Sequence, residues 1–284
     1  MRHVGMERFR AATFNVNSVR ARLPVVLGWL ERHGPDVLCL QETKVSDADF
    51  PAGAFRRLGY EVVFRGMKGY NGVAVAARGP VEAVRTGFGD PEDTPEDHAR
   101  LIRLRVRGVD VVNTYVPQGR AADHPLFRYK LRWFDRLLDL FRREYRPERP
   151  LLWCGDLNVA PEPADVYAPE RLAGHVCFHP EARARLARVT AWGLVDVFRR
   201  HVPGPGHYTF FDYRVRGALE RNLGWRIDHV LATPPLAAAS VAAFIDLEPR
   251  RGPRPSDHAV LAADFEGVPA GDQAGTSPTR SRAA

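Results

Sequence analysis

The stretch Leu151–Asn158 constrains the fold of this chain more than any other, because an apolar run leads directly into a pair of polar residues. Four apolar residues precede Gly155, and Asp156 and Asn158 follow it, two positions apart. A strand that is apolar throughout is typical of a sheet covered on both faces. The spacing lets the carboxylate and the amide project from one side of the strand end, as a functional site requires. An Asx turn, in which both side chains only close their own backbone, also explains these residues.

The composition is that of an ordinary globular protein with a moderately basic charge. Of the 284 residues, 45% are hydrophobic and 26% are charged, and the formal net charge is +7. This charge favours a polyanionic partner such as nucleic acid. The cysteines Cys39, Cys154 and Cys177 have no metal-ligand spacing and are typical of reduced core thiols. No signal peptide or membrane span is predicted, so we expect a soluble, cytoplasmic protein without a membrane partner.

The N-terminal part of the chain predicts a β-α-β unit with polar residues at its strand ends. Phe9–Asn15 alternates as a strand does, and residues 18–33 follow as a helix with Ser18 as its N-cap. Residues 35–42 form the second, apolar strand. The carboxyl ends of parallel strands meet at one sheet edge, which is where sites form in α/β sheets. Three polar residues are therefore expected at this edge: Asn15, Asn17 and Glu42.

The rest of the chain predicts a second set of strands. These strands are expected at 60–65, 72–77, 81–86, 101–107, 109–116, 151–156, 225–231 and 259–265. The first four are typical of a meander, and helices are predicted over 123–144 and 181–192. Because the strand-helix-strand order occurs once in each half, we expect two similar sheets packed in one domain, residues 7–266. The composition of residues 267–284 predicts a disordered tail.

Polar residues at or beside six predicted strands together resemble a known family. The motifs are Asn15-Val16-Asn17, Gln41-Glu42-Thr43-Lys44, Tyr115-Val116-Pro117-Gln118-Gly119, Gly155-Asp156-Leu157-Asn158, Trp225-Arg226-Ile227-Asp228 and Ser256-Asp257-His258. In this order, across residues 9–266, they resemble the exonuclease III family of DNase I-like nucleases and metal-dependent phosphoesterases. The resemblance implies a four-layer α/β sandwich, in which two packed mixed β-sheets are flanked by helices. It also implies a DNA repair nuclease with abasic-site endonuclease, 3′-to-5′ exonuclease and 3′-phosphatase activities.

The chemistry of phosphodiester hydrolysis requires a cation and hydrogen-bond donors, because charge gathers on the non-bridging oxygens. Glu42 is the best candidate for the principal metal ligand, and Asn17 and Asp257 could complete the shell through water. Oxygen ligands without a thiolate favour Mg²⁺, with Mn²⁺ as a substitute. Related enzymes often have an aspartate where this chain has Asn17, and the missing charge favours one metal ion.

Two residues compete for the role of general base. Asp156 is our choice, with Asn158 orienting phosphate or water beside it. His258 is the alternative, because Asp228 would fix its tautomer and raise its pKa. Two further residues complete the expected catalytic set: Tyr115, as a donor to phosphate or the leaving oxygen, and Asn15, which would hold Glu42 or phosphate.

Contacts with DNA are expected from aromatic and loop residues near the motifs. By resemblance, Phe210, Trp225 and Ile227 line an apolar pocket for a flipped sugar that lacks its base. The family commonly has Trp at the position of Phe210 and a smaller residue at that of Trp225, so the pocket is expected to be rearranged. The candidates for contacts with the DNA backbone are Lys44, Asn71, Gln118, Arg120, Arg214, Arg216 and Asn222.

Two other functions are compatible with the same scaffold. A non-catalytic regulator, similar to the catabolite repression control protein of RNA-binding complexes, can keep much of the site. A phosphatase for lipids or inositol phosphates shares the metal site but explains the segment Tyr115–Gly119 and the basic charge less well. We expect a monomeric nuclease whose partner is double-stranded DNA with abasic sites or blocked 3′ ends.

Overall fold

Two six-stranded sheets, packed face to face and flanked by helices, form residues 8–268, the part of the chain that the computed structural model describes. This architecture confirms the predicted four-layer α/β sandwich. The predicted tail lies outside the described residues, apart from Gly267 and Val268. The domain limits at 7 and 266 stay predictions.

Most strands lie close to the positions that the sequence predicts, but those at Val195–Asp196 and Ser240–Asp246 were not predicted. The strands are β1 (Phe9–Asn15), β2 (Val37–Gln41), β3 (Glu61–Arg65), β4 (Val73–Ala77), β5 (Val81–Thr86), β6 (Leu101–Val106), β7 (Val109–Tyr115), β8 (Leu151–Asp156), β9 (Val195–Asp196), β10 (Asp228–Ala232), β11 (Ser240–Asp246) and β12 (Val260–Phe265). The first sheet has the order β11-β12-β1-β2-β4-β3, and the second has the order β5-β6-β7-β8-β10-β9. Each sheet contains one parallel pair, β1 with β2 and β7 with β8.

Helices cover the outer face of each sheet. They are α1 (Val19–His33), α2 (Ala52–Arg57), α3 (Pro95–His98), α4 (Pro125–Glu144), α5 (Pro169–Leu172), α6 (Pro180–Thr190), α7 (Val197–His201), α8 (Pro234–Ala238) and α9 (Glu248–Arg251), with short 3-10 helices at Asp47–Asp49 and Pro163–Asp165. The helices α1 and α2 pack on the first sheet, and α4 and α6 pack on the second. None of the helices within residues 8–268 combines the length and apolar character needed to cross a membrane.

The alternating side chains of β8 show why four layers form. Leu152 and Cys154 pack in the layer between the sheets, whereas Leu151 and Trp153 pack on the other face, beneath α4 and α6. Because successive side chains of a strand point to opposite faces, an apolar run must be covered on both sides. The apolar sequence of β8 therefore requires a sheet on one side and helices on the other.

Apart from the two unpredicted strands, β9 and β11, the structure differs from the sequence predictions in three ways. The expected meander is divided, since β3 pairs with β4 in the first sheet and β5 pairs with β6 in the second. Ser18 makes no side-chain cap on α1; its backbone N–H instead donates to the carbonyl of Glu42 at 2.7 Å. The strand predicted from Trp225 begins only at Asp228, because Trp225 forms isolated bridges with Val166 and Phe210.

The layer between the sheets becomes polar near the carboxyl ends of the parallel strands. Gln41 Nε2 donates to Thr13 Oγ1 at 2.9 Å and to Asn113 Oδ1 at 2.7 Å. Asn113 Nδ2 donates to the carbonyls of Leu40 and Ala74 at 3.1 and 2.9 Å. All these groups are buried, so the partners offset much of the cost of removing them from water. This network joins the sheets directly beneath the candidate site.

We expect Gly155→Ala to destabilise the protein strongly. Gly155 has φ +144°, and an added Cβ would lie 1.9 Å from the carbonyl oxygen of Thr114 on the neighbouring strand. Such a clash, together with the backbone strain, should cost more than about 2 kcal/mol in the free energy of unfolding, measured with urea. Gly28→Ala is the matched control, since nothing lies within 4 Å of that Cβ; it should leave stability unchanged or raise it by up to about 1 kcal/mol. Equal stabilities of the two variants would contradict this account.

Candidate active site

Strand ends from both sheets deliver most of the predicted catalytic residues to one place. In the second sheet, Tyr115 and Asp228 are both register partners of Asp156, on the two strands that flank β8. In the first sheet, Asn15 ends β1 beside Gln41, and Glu42 follows directly. The strand-end residues have the same alternation as the apolar side chains between the sheets. The polar groups therefore extend the inter-sheet layer to its edge.

The carboxamide of Asn15 connects the two halves of the site. Its Nδ2 donates to Glu42 Oε1 and to Asp156 Oδ2, each at 2.9 Å. Its Oδ1 accepts the backbone N–H of Asn17 at 3.0 Å, which fixes the orientation of the amide. Glu42 belongs to the first sheet and Asp156 to the second, so Asn15 holds both carboxylates in register across the sandwich.

His258 lies between two carboxylates and is 4% exposed. Its Nδ1 is 2.7 Å from Asp228 Oδ2, and its Nε2 is 3.8 Å from Asp156 Oδ2. Burial opposes a charge on the ring, but the carboxylate of Asp228, followed by those of Asp156 and Asp257, raises the pKa of His258 to about 10. The raised pKa favours the imidazolium form, in which both ring nitrogens are hydrogen-bond donors.

Asp156 is buried beside His258, and both of its carboxylate oxygens accept hydrogen bonds. Burial raises the pKa of its carboxyl to about 7, and Asp228 and Glu42 add to this effect, while His258 and Asn15 oppose it. The backbone N–H of Asn158 donates to Asp156 Oδ1 at 2.9 Å and orients the group. The pKa values of Asp156 and His258 are therefore both raised, the first chiefly by burial and the second chiefly by the carboxylate of Asp228.

Glu42 and Asn17 converge on the ammonium of Lys44 beside Asp156, and we call this group the cation-binding corner after that contact. Lys44 Nζ lies 2.7 Å from Glu42 Oε2 and 2.6 Å from Asn17 Oδ1, so both oxygens converge on one positive charge. Burial disfavours the Glu42 carboxylate, but Lys44 and Asn15 together keep its pKa below the usual value. Asn17 Nδ2 donates to Asp257 Oδ1 at 3.1 Å, which places a carboxylate oxygen next to the same corner. These oxygen donors fit a hard divalent cation.

A second acidic group is formed by Asp156, Asp228 and His258, whose ligand atoms lie within 4.8 Å of one another. The ring nitrogen Nδ1 of His258 is already bonded to Asp228. Asp228 Oδ1 is buried without a hydrogen-bond partner. The group is an acidic cluster that could hold a metal ion, and its internal hydrogen bond also suits a proton-orienting pair.

Several site residues occupy strained backbone conformations. Asn17, Glu42, Lys44 and Asn158 all have positive φ, between 43° and 55°. This region is uncommon for residues other than glycine, most of all for a glutamate or a lysine. Strained conformations persist where the surroundings fix them, and they concentrate at functional sites.

A cleft of about 370 Å³ opens from the catalytic residues. Its lining comprises Glu42, Tyr115, Gln118, Asp156, Asn158, Tyr167, Leu172, His175, Cys177, Phe210, Asp212, Arg214, Val215, Leu223, Trp225, Ile227, Asp257 and His258. The predicted pocket residues Phe210, Trp225 and Ile227 are among them. His175 and Cys177 did not emerge from the sequence, because they lie in an irregular loop; the ring of His175 packs 4.7 Å from that of Trp225.

The other predicted DNA contacts lie around this cleft at different distances. The carbonyl of Asn71 accepts the N–H of Lys44 at 3.0 Å, so it borders the cation-binding corner. The N–H of Arg120 donates to Gln118 Oε1 at 2.7 Å, at the rim. Asn222 donates to the carbonyl of Gly206 and lines a separate cavity next to Phe198 and Phe244. The structure therefore does not bring Asn222 to the catalytic cleft.

Comparisons with known proteins agree with this geometry. Residues 12–258 match the family described as the Endonuclease/Exonuclease/phosphatase family. The chain is 34% identical over 266 residues to Exodeoxyribonuclease III of Haemophilus influenzae. This alignment covers 89% of this chain and 98% of that protein. An AP endonuclease from Archaeoglobus fulgidus matches with a TM-score of 0.88 and 49% identity, over 90% of this chain and 99% of that one. The 3′ phosphatase NExo from Neisseria, bound to a product DNA hairpin, matches with a TM-score of 0.86 and 40% identity. That match covers 90% of this chain and 99% of the other.

We expect Asp228→Asn to lower the pKa of His258. The amide still accepts a hydrogen bond, but it removes the negative charge that most strongly favours the imidazolium. In ¹⁵N NMR titrations the ring of the native protein should stay protonated past pH 8, and the ring of the variant should lose its proton at least about one pH unit lower. Asp110→Asn is the control, because that carboxylate pairs with Arg105. An unchanged His258 titration in Asp228→Asn would refute the assigned pairing.

Proposed function

We propose that this chain, which belongs to the Endonuclease/Exonuclease/phosphatase family, is a metal-dependent DNA repair nuclease of the exodeoxyribonuclease III type. It hydrolyses phosphodiesters at abasic sites and at the 3′ ends of duplex DNA. Its relatives are named for these activities, as Exodeoxyribonuclease III, AP endonuclease and 3′ phosphatase. The neighbour bound to a DNA hairpin supports DNA as the substrate.

The observation that carries this proposal is the chain of contacts from Glu42 through Asn15 and Asp156 to His258 and Asp228. The first two contacts are hydrogen bonds of 2.9 Å, the third is a 3.8 Å ion pair and the last is a 2.7 Å hydrogen bond. In one cleft it combines a cation-binding corner, a carboxylate titrating near neutral pH and a charged donor. Hydrolysis of a phosphodiester by water needs these three elements.

The reaction begins with the proton of the attacking water. Asp156 accepts that proton through a carboxylate oxygen as the water oxygen bonds to phosphorus, and the bond from phosphorus to the 3′ oxygen breaks. The Nε2–H of His258 donates to a non-bridging oxygen, where negative charge increases in the transition state. Asn158 fixes the orientation of Asp156 through its backbone N–H.

Tyr115 assists the leaving 3′ oxygen. Burial and the adjacent Glu42 carboxylate hold the pKa of Tyr115 well above its usual value, so the hydroxyl remains a donor. Arg100 fixes the ring: its guanidinium lies 4.7 Å from the ring centroid, and its Nη1 donates to the Tyr115 carbonyl at 3.0 Å. The hydroxyl is thereby held in the cleft for the departing oxygen.

Glu42 is the principal ligand of the metal ion that we propose, with Asn17 and Asp257 acting directly or through water. The oxygen ligands favour Mg²⁺, with Mn²⁺ as a substitute. When bound, the divalent ion supplies positive charge to the phosphate oxygens and to the leaving group. The contacts of Lys44 support the assignment, because the side-chain oxygens of Glu42 and Asn17 already converge on its positive charge.

Phe210, Trp225 and Ile227 form the apolar part of the cleft, where a sugar without its base would bind. DNA backbone contacts are assigned to Lys44, Asn71, Gln118 and Arg120 around the rim. Asn222 remains a candidate only for more distant contacts, since it lies at another cavity. We further propose that the protein acts as a monomer.

The decisive experiment uses a duplex with one abasic analogue. With Mg²⁺ we expect hydrolytic incision immediately 5′ to the analogue, and none with EDTA. A second duplex that ends in a 3′-phosphate should release inorganic phosphate under the same conditions. Binding of both duplexes without any cleavage would reject the nuclease and favour the non-catalytic regulator.

We expect Asp156→Asn to lose at least about 10²-fold in single-turnover rate, the scale of lost general-base assistance. The amide keeps the shape of the side chain, so DNA affinity should stay close to that of the native protein. Asp139→Asn on the exposed side of α4 is the matched control, with its side chain 71% exposed. Near-native turnover of Asp156→Asn would show that another group takes the proton.

DNA affinity should fall steeply with salt. The chain carries a formal charge of +7, and most expected contacts are to phosphate. Each neutralised phosphate contributes a slope of about −0.9 in log K against log salt concentration. Fluorescence anisotropy with Asp156→Asn, in which cleavage should be slow, measures this slope. A flat response would exclude the phosphate-contact surface.

A further inference from the structure

Lys130 on α4 is buried completely, although the exposed side of that helix carries several arginines. Its Nζ lies 2.7 Å from the carbonyl oxygen of Asn158, 2.8 Å from that of Val176 and 3.2 Å from that of Gln118. All three contacts are to backbone, and among residues 8–268 Lys130 forms no ion pair with a carboxylate. Such a buried group must satisfy its hydrogen-bonding potential through these carbonyls alone.

The three acceptors determine the protonation state of Lys130. A carbonyl oxygen can only accept, so three carbonyls require three N–H donors, and only the ammonium form has three. Burial lowers the pKa of Lys130, while the nearby Cys177 and Asp156 act in the opposite direction. The hydrogen bonds therefore favour a charged ammonium at this buried position. An apolar side chain at the same position would avoid the cost of desolvating a charge.

The carbonyls belong to three separate loops of the active site. Gln118 follows β7, which ends in Tyr115, and Asn158 follows β8, which ends in Asp156. Val176 precedes Cys177 in the loop between α5 and α6. The side chains of Gln118, Asn158 and Cys177 all line the catalytic cleft. The ammonium of Lys130 thus holds three cleft-lining loops together, on the side of these loops that faces α4.

We propose that Lys130 is a positioning residue for the catalytic cleft. By tying the three loops to α4, its ammonium sets the placement of Asn158, and through Asn158 the orientation of the base Asp156. This inference rests on the nuclease function proposed above, since it assigns Lys130 a role in that reaction. Lys130 is not among the residues that line the cleft, so it acts on the reaction through these three loops and not by contact with the substrate.

The test compares Lys130→Met with the native protein on the abasic duplex. Methionine preserves the length and packing of the side chain but removes the charge and all three donors. We expect the single-turnover rate to fall about 10- to 100-fold, because loss of precise placement costs this much in comparable cases. The dissociation constant for DNA should stay within about threefold, since most contacts are to phosphate at the rim.

Leu138→Ala is the matched control for lost stability. Leu138 lies on the same helix, just over two turns further along, and its side chain is 3% exposed in the apolar core. None of the hydrogen bonds that hold the three loops to α4 involves this side chain. Both variants are assayed at a temperature where urea titrations show them fully folded. A structural role alone predicts that both keep near-native rates, and that outcome would overturn the proposal.

Lys130→Gln tests the same idea with a polar side chain that keeps two N–H donors. We expect its rate to lie between those of the native protein and Lys130→Met. If neither Lys130 variant folds, the residue is structural and the positioning role is rejected. If the native protein itself fails to incise the duplex, the proposed nuclease function fails, which is a separate result.

Discussion

Two carboxylates, Asp156 and Asp228, are buried between the sheets, and the neighbouring polar groups of the cleft stabilise them at this depth. Their exposures are 1% and 0%, and an isolated ionised carboxylate would be very costly at such a depth. Asn15 donates from the first sheet, and His258 supplies a positive charge from the loop before β12. Because the stabilising groups come from both sheets, the site exists only when the sandwich is assembled. Folding and catalysis therefore depend on the same contacts.

The sequence predicts the parts of the site that follow from local regularity. Asn15 and Asp156 each end an apolar strand with a two-residue period, so their places could be read from the pattern. Asp228 was also expected in a strand, but it is the first residue of β10. The choice between Asp156 and His258 could not, because it depends on the distances to Asp228 and on burial. Only the assembled structure shows that His258 is paired on one side and faces a second carboxylate on the other.

Other differences have equally local causes. The chain passes from the first sheet to the second between β4 and β5, and a short turn at residues 78–80 carries no signal for a change of sheet. His175 lies in a loop without periodicity, so its packing against Trp225 could not be anticipated. Lys130 was open to prediction: it is three residues from Phe127 and four from Phe134, on the apolar stripe of α4. A lysine on the buried stripe of a helix needs hydrogen-bond partners inside the protein, and the structure shows that these are backbone carbonyls.

The two-residue alternation of the inner strands also limits how this gene can change in length. One codon inserted within β8 would turn Asp156 toward the helices, unless a bulge absorbed the extra residue. Two inserted codons would preserve which face it points to, but would shift it along its neighbours β7 and β10. Loops far from the cleft, such as the turn at Arg107 and Gly108, carry no such restriction. Natural length variation should therefore collect in outer turns and avoid the four strands that carry Asn15, Tyr115, Asp156 and Asp228.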